Sequence, residues 1–235
     1  MIAASGHGWG LAVFPLGAAI IATVFGARLL TRYAKRRRPY EGVWAVALLM
    51  YAAASFAMFL GVVRGWTPAD YRVYWLLGAV LNVPYLFAGE VFLLTGRAVA
   101  RGFLILLVAA TAIAVPVVSN ADLRPGALAN RLPLGKDVFL RATPYRLAQF
   151  YSIPAYFLLL GALVWSVWKM RGRPELRDRA VGTFAIAMGA TLVAIGSGIG
   201  AAFHVVPLFS VSLAAGVAVM FAGFLRAGRR RQPAR

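Results

Sequence analysis

The sequence predicts an all-α, polytopic membrane protein: a bundle of seven transmembrane helices with its N-terminus outside and its C-terminus inside. Three observations carry that prediction. Of 235 residues, 61% are hydrophobic and 14% charged, and the mean hydropathy of +0.75 exceeds what the water-facing surface of a soluble domain allows. The apolar residues gather into seven runs of spanning length bounded by charged or turn residues. The cations, finally, sort to one side of those runs.

The first run, about 9–31, sits where a signal peptide would. No basic stretch precedes it and no small-residue cleavage site follows, while its cation cluster, Arg28 to Arg38, comes after the apolar segment. It is therefore read as a retained signal-anchor. The second and third runs, 42–63 and 73–96, are joined by a short turn, and the fourth, 102–118, follows Arg97 and Arg101. A long connection, 119–146, holds Pro125, Pro133, Pro144, Gly126 and Gly135, with five cations against Asp122 and Asp137. It is expected to be a solvated outer loop that can attract an anion or close over the mouth of the bundle, with an interfacial or re-entrant piece around Val138 to Leu140 as the alternative. The fifth run is 147–168. The sixth and seventh, 180–202 and 205–226, are separated so briefly, near His204 to Pro207, that they must be antiparallel neighbours. A basic tail, 227–235, ends the single transmembrane domain.

The chain carries 25 Lys+Arg against 7 Asp+Glu, a formal +18. With an outside N-terminus, eighteen cations fall on the inner side: six in Arg28 to Arg38, two at Arg97 and Arg101, five in Lys169 to Arg179 and five from Arg226 onward. Seven fall outside, and every strongly basic short loop is inner, which sets the orientation. The charge thus reads as bilayer orientation, and nucleic acid is not expected as a partner. Arg36, Arg37, Arg38, Arg171, Arg229 and Arg230 are the expected contacts to anionic lipid headgroups, each worth on the order of 1 kcal/mol near the surface. Zero cysteines exclude disulfides, thiol catalysis and Cys-ligated metal sites.

Gly182, Gly189 and Gly196 recur every seventh residue, and Gly216 and Gly223 repeat the spacing in the last span. Small residues at helical spacing mark close backbone approach, so spans six and seven are expected to pack tightly and mostly left-handedly. Gly89 with Gly96, and Gly10 with Gly17, extend the pattern. Pro84 and Pro154 each remove a backbone hydrogen bond and free a carbonyl, predicting a kink in spans three and five. The segments around them, Asn82 to Phe87 and Ser152 to Phe157, are weakly alike, which fits either a parallel duplication or convergent apolar composition.

Glu90 is the acidic side chain set well inside an apolar run, and an intramembrane carboxylate is a functional-site hypothesis. It lies seven residues before Arg97, about 10 Å along a helix. A structural ion pair with Arg97 or with a neighbouring basic loop is the first expectation and a transport or ligand role the second. Asn82 and Tyr85 share a face of span three with Trp75, Gly78 and Gly89 at 100° per residue. With Tyr51 from span two and Tyr151, Ser152 or Tyr156 from span five they form the expected pocket. The competing reading is interhelical hydrogen bonding with an aromatic belt at Tyr151 and Trp66.

His7 and His204 both fall at the outer boundary, so neither a haem between in-span histidines nor a His-rich metal site is expected. P-loop, dinucleotide, H-E-x-x-H and G-x-S-x-G motifs are absent from the sequence. In topology alone the chain resembles microbial rhodopsins and other seven-helix receptors. The seventh span, however, holds no lysine for a retinal Schiff base, so no cofactor is expected. The leading function is binding or moving a small solute, ion or lipid through the bundle. The alternatives are an accessory or sensory subunit, docked on a membrane-protein partner or a second copy of itself, and an intramembrane enzyme.

Overall fold

A computed structural model describes residues 7–129, 133–203 and 205–227. His204, Arg229 and Arg230 therefore lie outside the described residues. Seven helices are long and apolar enough to cross a membrane. They are α1 (His7–Arg36), α2 (Pro39–Arg64), α3 (Pro68–Leu94), α4 (Arg97–Ser119), α5 (Thr143–Met170), α6 (Arg177–Ala202) and α7 (Val206–Ala227). No strand occurs among the described residues; one isolated bridge joins Leu123 and Phe139. α4 begins before its apolar run because Arg97 and Arg101 belong to the helix, arginine being a good helix former.

Six helices close into a ring in which α1 packs on α2, α2 on α3, α3 on α5, α5 on α6, α6 on α7 and α7 back on α1. α4 lies outside that ring against α3 and α5. Alanines let the central helices approach: Ala18 and Ala22 of α1, Ala45 and Ala47 of α2 and Ala88 of α3 are fully buried. The outer faces of α4 and α5 expose large apolar side chains, including Ile105 at 71% and Phe150 at 78%.

The spacing of glycines in the last two spans marks their contact as expected. A Cβ added to Gly189 would strike the carbonyl oxygen of Gly216, one on Gly182 the carbonyl of Gly223, and one on Gly196 the side chain of Ser212. Gly17 and Gly96 depart from the pattern, since neither would meet anything within 4 Å. Gly96 lies beyond the end of α3, as the N-cap of α4. Gly89 does mark a contact, with the indole of Trp44 lying where its Cβ would be.

The turn between α2 and α3 is fixed by side chains. Gly65 takes φ +86°, a conformation open to glycine. Thr67 caps α3 by accepting from Asp70 N at 3.1 Å, and Arg64 pairs with Asp70 at 3.0 Å. Trp66 folds back over Gly61 and meets Tyr71 edge-on.

Most of 119–129 is exposed, as expected of a solvated loop, whereas the stretch from Pro133 to Phe139 packs against the bundle. Val138 and Phe139 are buried, Arg124 N and Leu140 N donate to Val138 O and Asp122 O, and a single helical turn spans Gly135–Val138. The indole of Trp75 fills the space above Gly135 and donates to Pro144 O at 3.1 Å. Val138 and Phe139 thus lie in a packed plug at that end of the bundle, held by aromatic burial that the proline and glycine content disguised, while Leu140 is exposed.

α3 changes form midway, with α-helix at Pro68–Tyr74, π-helix at Trp75–Leu81 and α-helix again at Asn82–Leu94. Pro84 has no N–H for the carbonyl of Val80, four residues before it. Ser152 of α5 satisfies the gap, its hydroxyl donating to Ala79 O at 2.5 Å and lying 3.2 Å from Val80 O.

Candidate functional site

Within the ring, α2, α3, α5, α6 and α7 enclose a cavity of about 620 Å³, a size typical of small-molecule sites. Its wall runs along α3 from Tyr74 to Leu86, about 18 Å at 1.5 Å per residue. Leucine, valine, alanine, phenylalanine and methionine make most of the lining, and no Arg, Lys or His lines it among the described residues.

The cavity reaches the surface between α5 and α6. Ile153, Phe157 and Ile195 line it and are 50%, 64% and 55% exposed. Further along the same hairpin Leu159, Leu163 and Ala187 pack together and Tyr156 donates to Thr191 Oγ1 at 3.2 Å, closing the two helices. Beyond that closure the helices stand apart, leaving Gly198 with nothing within 4 Å of a Cβ.

Four of the residues that the sequence singled out stand together on this wall: Tyr51, Asn82, Ser152 and Tyr156. Each ties one helix to another. Tyr51 donates to Leu213 O at 2.9 Å, Asn82 Nδ2 donates to Ala47 O at 2.7 Å, and Ser152 and Tyr156 donate as described. The pocket and the interhelical bonds that seemed to compete are thus the same side chains: the hydroxyl protons are spent on protein and the lone pairs remain. Ser55 and Tyr74 also line the cavity, and among the described residues their hydroxyls make no hydrogen bond.

Tyr85 is not on this wall. Its hydroxyl lies 3.2 Å from Thr111 Oγ1 of α4, because the 60° between Asn82 and Tyr85 turns one toward α2 and the other outward. Trp75 likewise faces the plug, across the π-helical stretch where 100° per residue no longer holds. Tyr151 donates to Ala110 O of α4, a helix-to-helix bond.

Glu90 is 4% exposed and borders a second chamber of about 30 Å³ that shares Leu48, Leu86, Leu159, Ala190 and Met220 with the large one. The expected pair with Arg97 is not formed: α3 ends at Leu94, Thr95 turns extended, and Arg97 opens the next helix with its side chain exposed. Among the described residues the Glu90 carboxyl has neither an ion pair nor a hydrogen bond. Arg179, at the start of α6, is the cation whose charge acts on it.

Sequence reasoning missed a second buried acid. Glu41, at the first turn of α2, is fully buried with Arg32 Nε 3.3 Å from its Oε1. Arg32 also lies over the ring of Phe224, so this pair staples α1, α2 and α7 at one end. The signal was available, since Glu41 directly follows the cation cluster, but it reads as a flanking charge. Arg36, Arg37, Arg38 and Arg171 are exposed, and no group of three or more His, Asp or Glu gathers among the described residues.

Comparison of the chain with protein-family models, with curated proteins and with solved structures yields no match.

Proposed function

We propose that this protein is a multi-pass protein of the cell membrane, N-terminus outside and C-terminus inside, that takes a small, mostly apolar molecule from the bilayer into its bundle. The observation that carries this reading is the 620 Å³ cavity with its opening between α5 and α6. An opening flanked by Ile153, Phe157 and Ile195 favours entry from hydrocarbon, since wetting those side chains costs roughly 25 cal/mol per Å². The exposed apolar faces of α4 and α5 suit the same surroundings. Orientation rests on the cation distribution, and Arg36, Arg37, Arg38 and Arg171, with Arg229 and Arg230 beyond α7 in sequence, would meet anionic headgroups at the inner face.

Native mass spectrometry of the protein extracted gently from its own membrane tests the reading. A small-molecule adduct is expected on the native chain and is expected to be lost in Ala190→Phe, which fills the cavity from α6. A bare native chain, or an adduct retained in Ala190→Phe, would overturn it.

A further inference from the structure

The chemistry of the cavity wall narrows what can occupy it, on the reading that the cavity is a binding site. The wall offers lone pairs more than protons. Tyr51, Asn82, Ser152 and Tyr156 have each committed a donor to a protein acceptor, leaving Tyr51, Ser152 and Tyr156 with oxygens able only to accept. Ser55 and Tyr74 can either donate or accept. No cation lines the wall among the described residues, so a phosphate or carboxylate head would enter without a counter-charge, and its burial would be strongly opposed. That argues against a phospholipid and against a fatty acid.

The charge at hand has the opposite sign. Glu90 is buried, bonded to nothing among the described residues, and separated from the cavity only by the shared side chains Leu48, Leu86, Leu159, Ala190 and Met220. Four of these are flexible, and the chamber beyond them is large enough for one or two water-sized groups.

We propose that the occupant is a single-chain amphiphile headed by a protonated amine, its ammonium drawn to Glu90 and its tail along the cavity. The length of the cavity, parallel to the helices, suits one extended chain. The ammonium supplies the counter-charge that Glu90 lacks, and an apolar tail suits the lining of the cavity.

The test is equilibrium binding of dodecylammonium, dodecanol and dodecanoate to the full chain in phosphatidylcholine nanodiscs, with empty nanodiscs subtracted. Dodecylammonium is expected to bind at least tenfold more tightly than dodecanol, and dodecanoate more weakly than either. In Glu90→Gln the ammonium-to-alcohol ratio is expected to fall close to one, and in Glu90→Asp to stay above it. Because the ratio is read within each variant, a loss of folded protein that lowers both ligands alike does not mimic the result. Equal affinities for ammonium and alcohol in the native chain, or a preference that survives Glu90→Gln, would overturn the amine head while leaving the cavity as a site. Binding of none of the three would overturn the cavity reading itself.

Discussion

α6 meets its two neighbours in opposite ways. Against α7 it presents Gly182 and Gly189, where the two backbones touch, and Gly196, where the side chain of Ser212 fills the gap. Against α5 it packs through Ala187, Ile186 and Thr191, and beside the cavity it presents Ala190, Ala194 and Gly198. Small residues line both faces, so small size alone does not dictate closeness. What differs is the partner. α7 answers with its own Gly216 and Gly223, whereas beyond the Tyr156–Thr191 bond α5 presents Ile153, which lines the cavity. The closed side fixes α6 in the ring and the open side borders the cavity.

The sharpest way to break this contrast is Gly189→Leu, whose side chain would occupy the position of the Gly216 carbonyl and Met220. Neither backbone can yield without parting the pair, and a loss of at least about 3 kcal/mol is expected, seen as a collapse of the melting temperature in mild detergent. A melting temperature within a degree of the native one would show that α6 and α7 do not rely on contact there. Next is Ser152→Ala on the open side, which strands the Ala79 and Val80 carbonyls beside Pro84. Leaving a buried acceptor unpaired costs about 1–3 kcal/mol, and Ser152→Thr, which keeps the hydroxyl, should recover most of it. Equal melting of the alanine and threonine variants would contradict the bond's role. The smallest effect is expected for Gly198→Ala, which meets open space. It should be neutral, or stabilising by up to about 1 kcal/mol through helix propensity. A marked destabilisation would mean that α6 is closed against a neighbour along its full length.

Much of this contrast was legible in the sequence and part of it was not. The heptad of glycines named the closed face because backbone contact demands that residue at that spacing, so pattern and geometry coincide. Seven apolar runs gave the helices for a similar reason, length and hydropathy being properties of the run itself. Tyr51, Asn82, Ser152 and Tyr156 could be grouped because polar tips in apolar spans must meet one another or a cavity. Tyr85 was misplaced because a face read at 100° per residue does not say where one neighbouring helix ends and the next begins. The π-helical stretch at Trp75–Leu81 has no signature beyond the nearby Pro84, and the packed plug at 133–139 is written in Tyr71, Trp75 and Phe139, residues far apart in sequence. Glu90 was found as a buried acid, yet its expected partner was chosen along a helix that in fact ends four residues after it.

The ring has an implication for how the molecule is made. Its circuit is completed by the contacts of α7 with α6 on one side and α1 on the other, and α7 is synthesised after α1 to α6. Leu213, the acceptor for Tyr51, and Met220, which borders both chambers, arrive with it. Until that moment the earlier helices hold only an open trough. A nascent chain therefore has no closed ring around the cavity until α7 has joined α6 and α1.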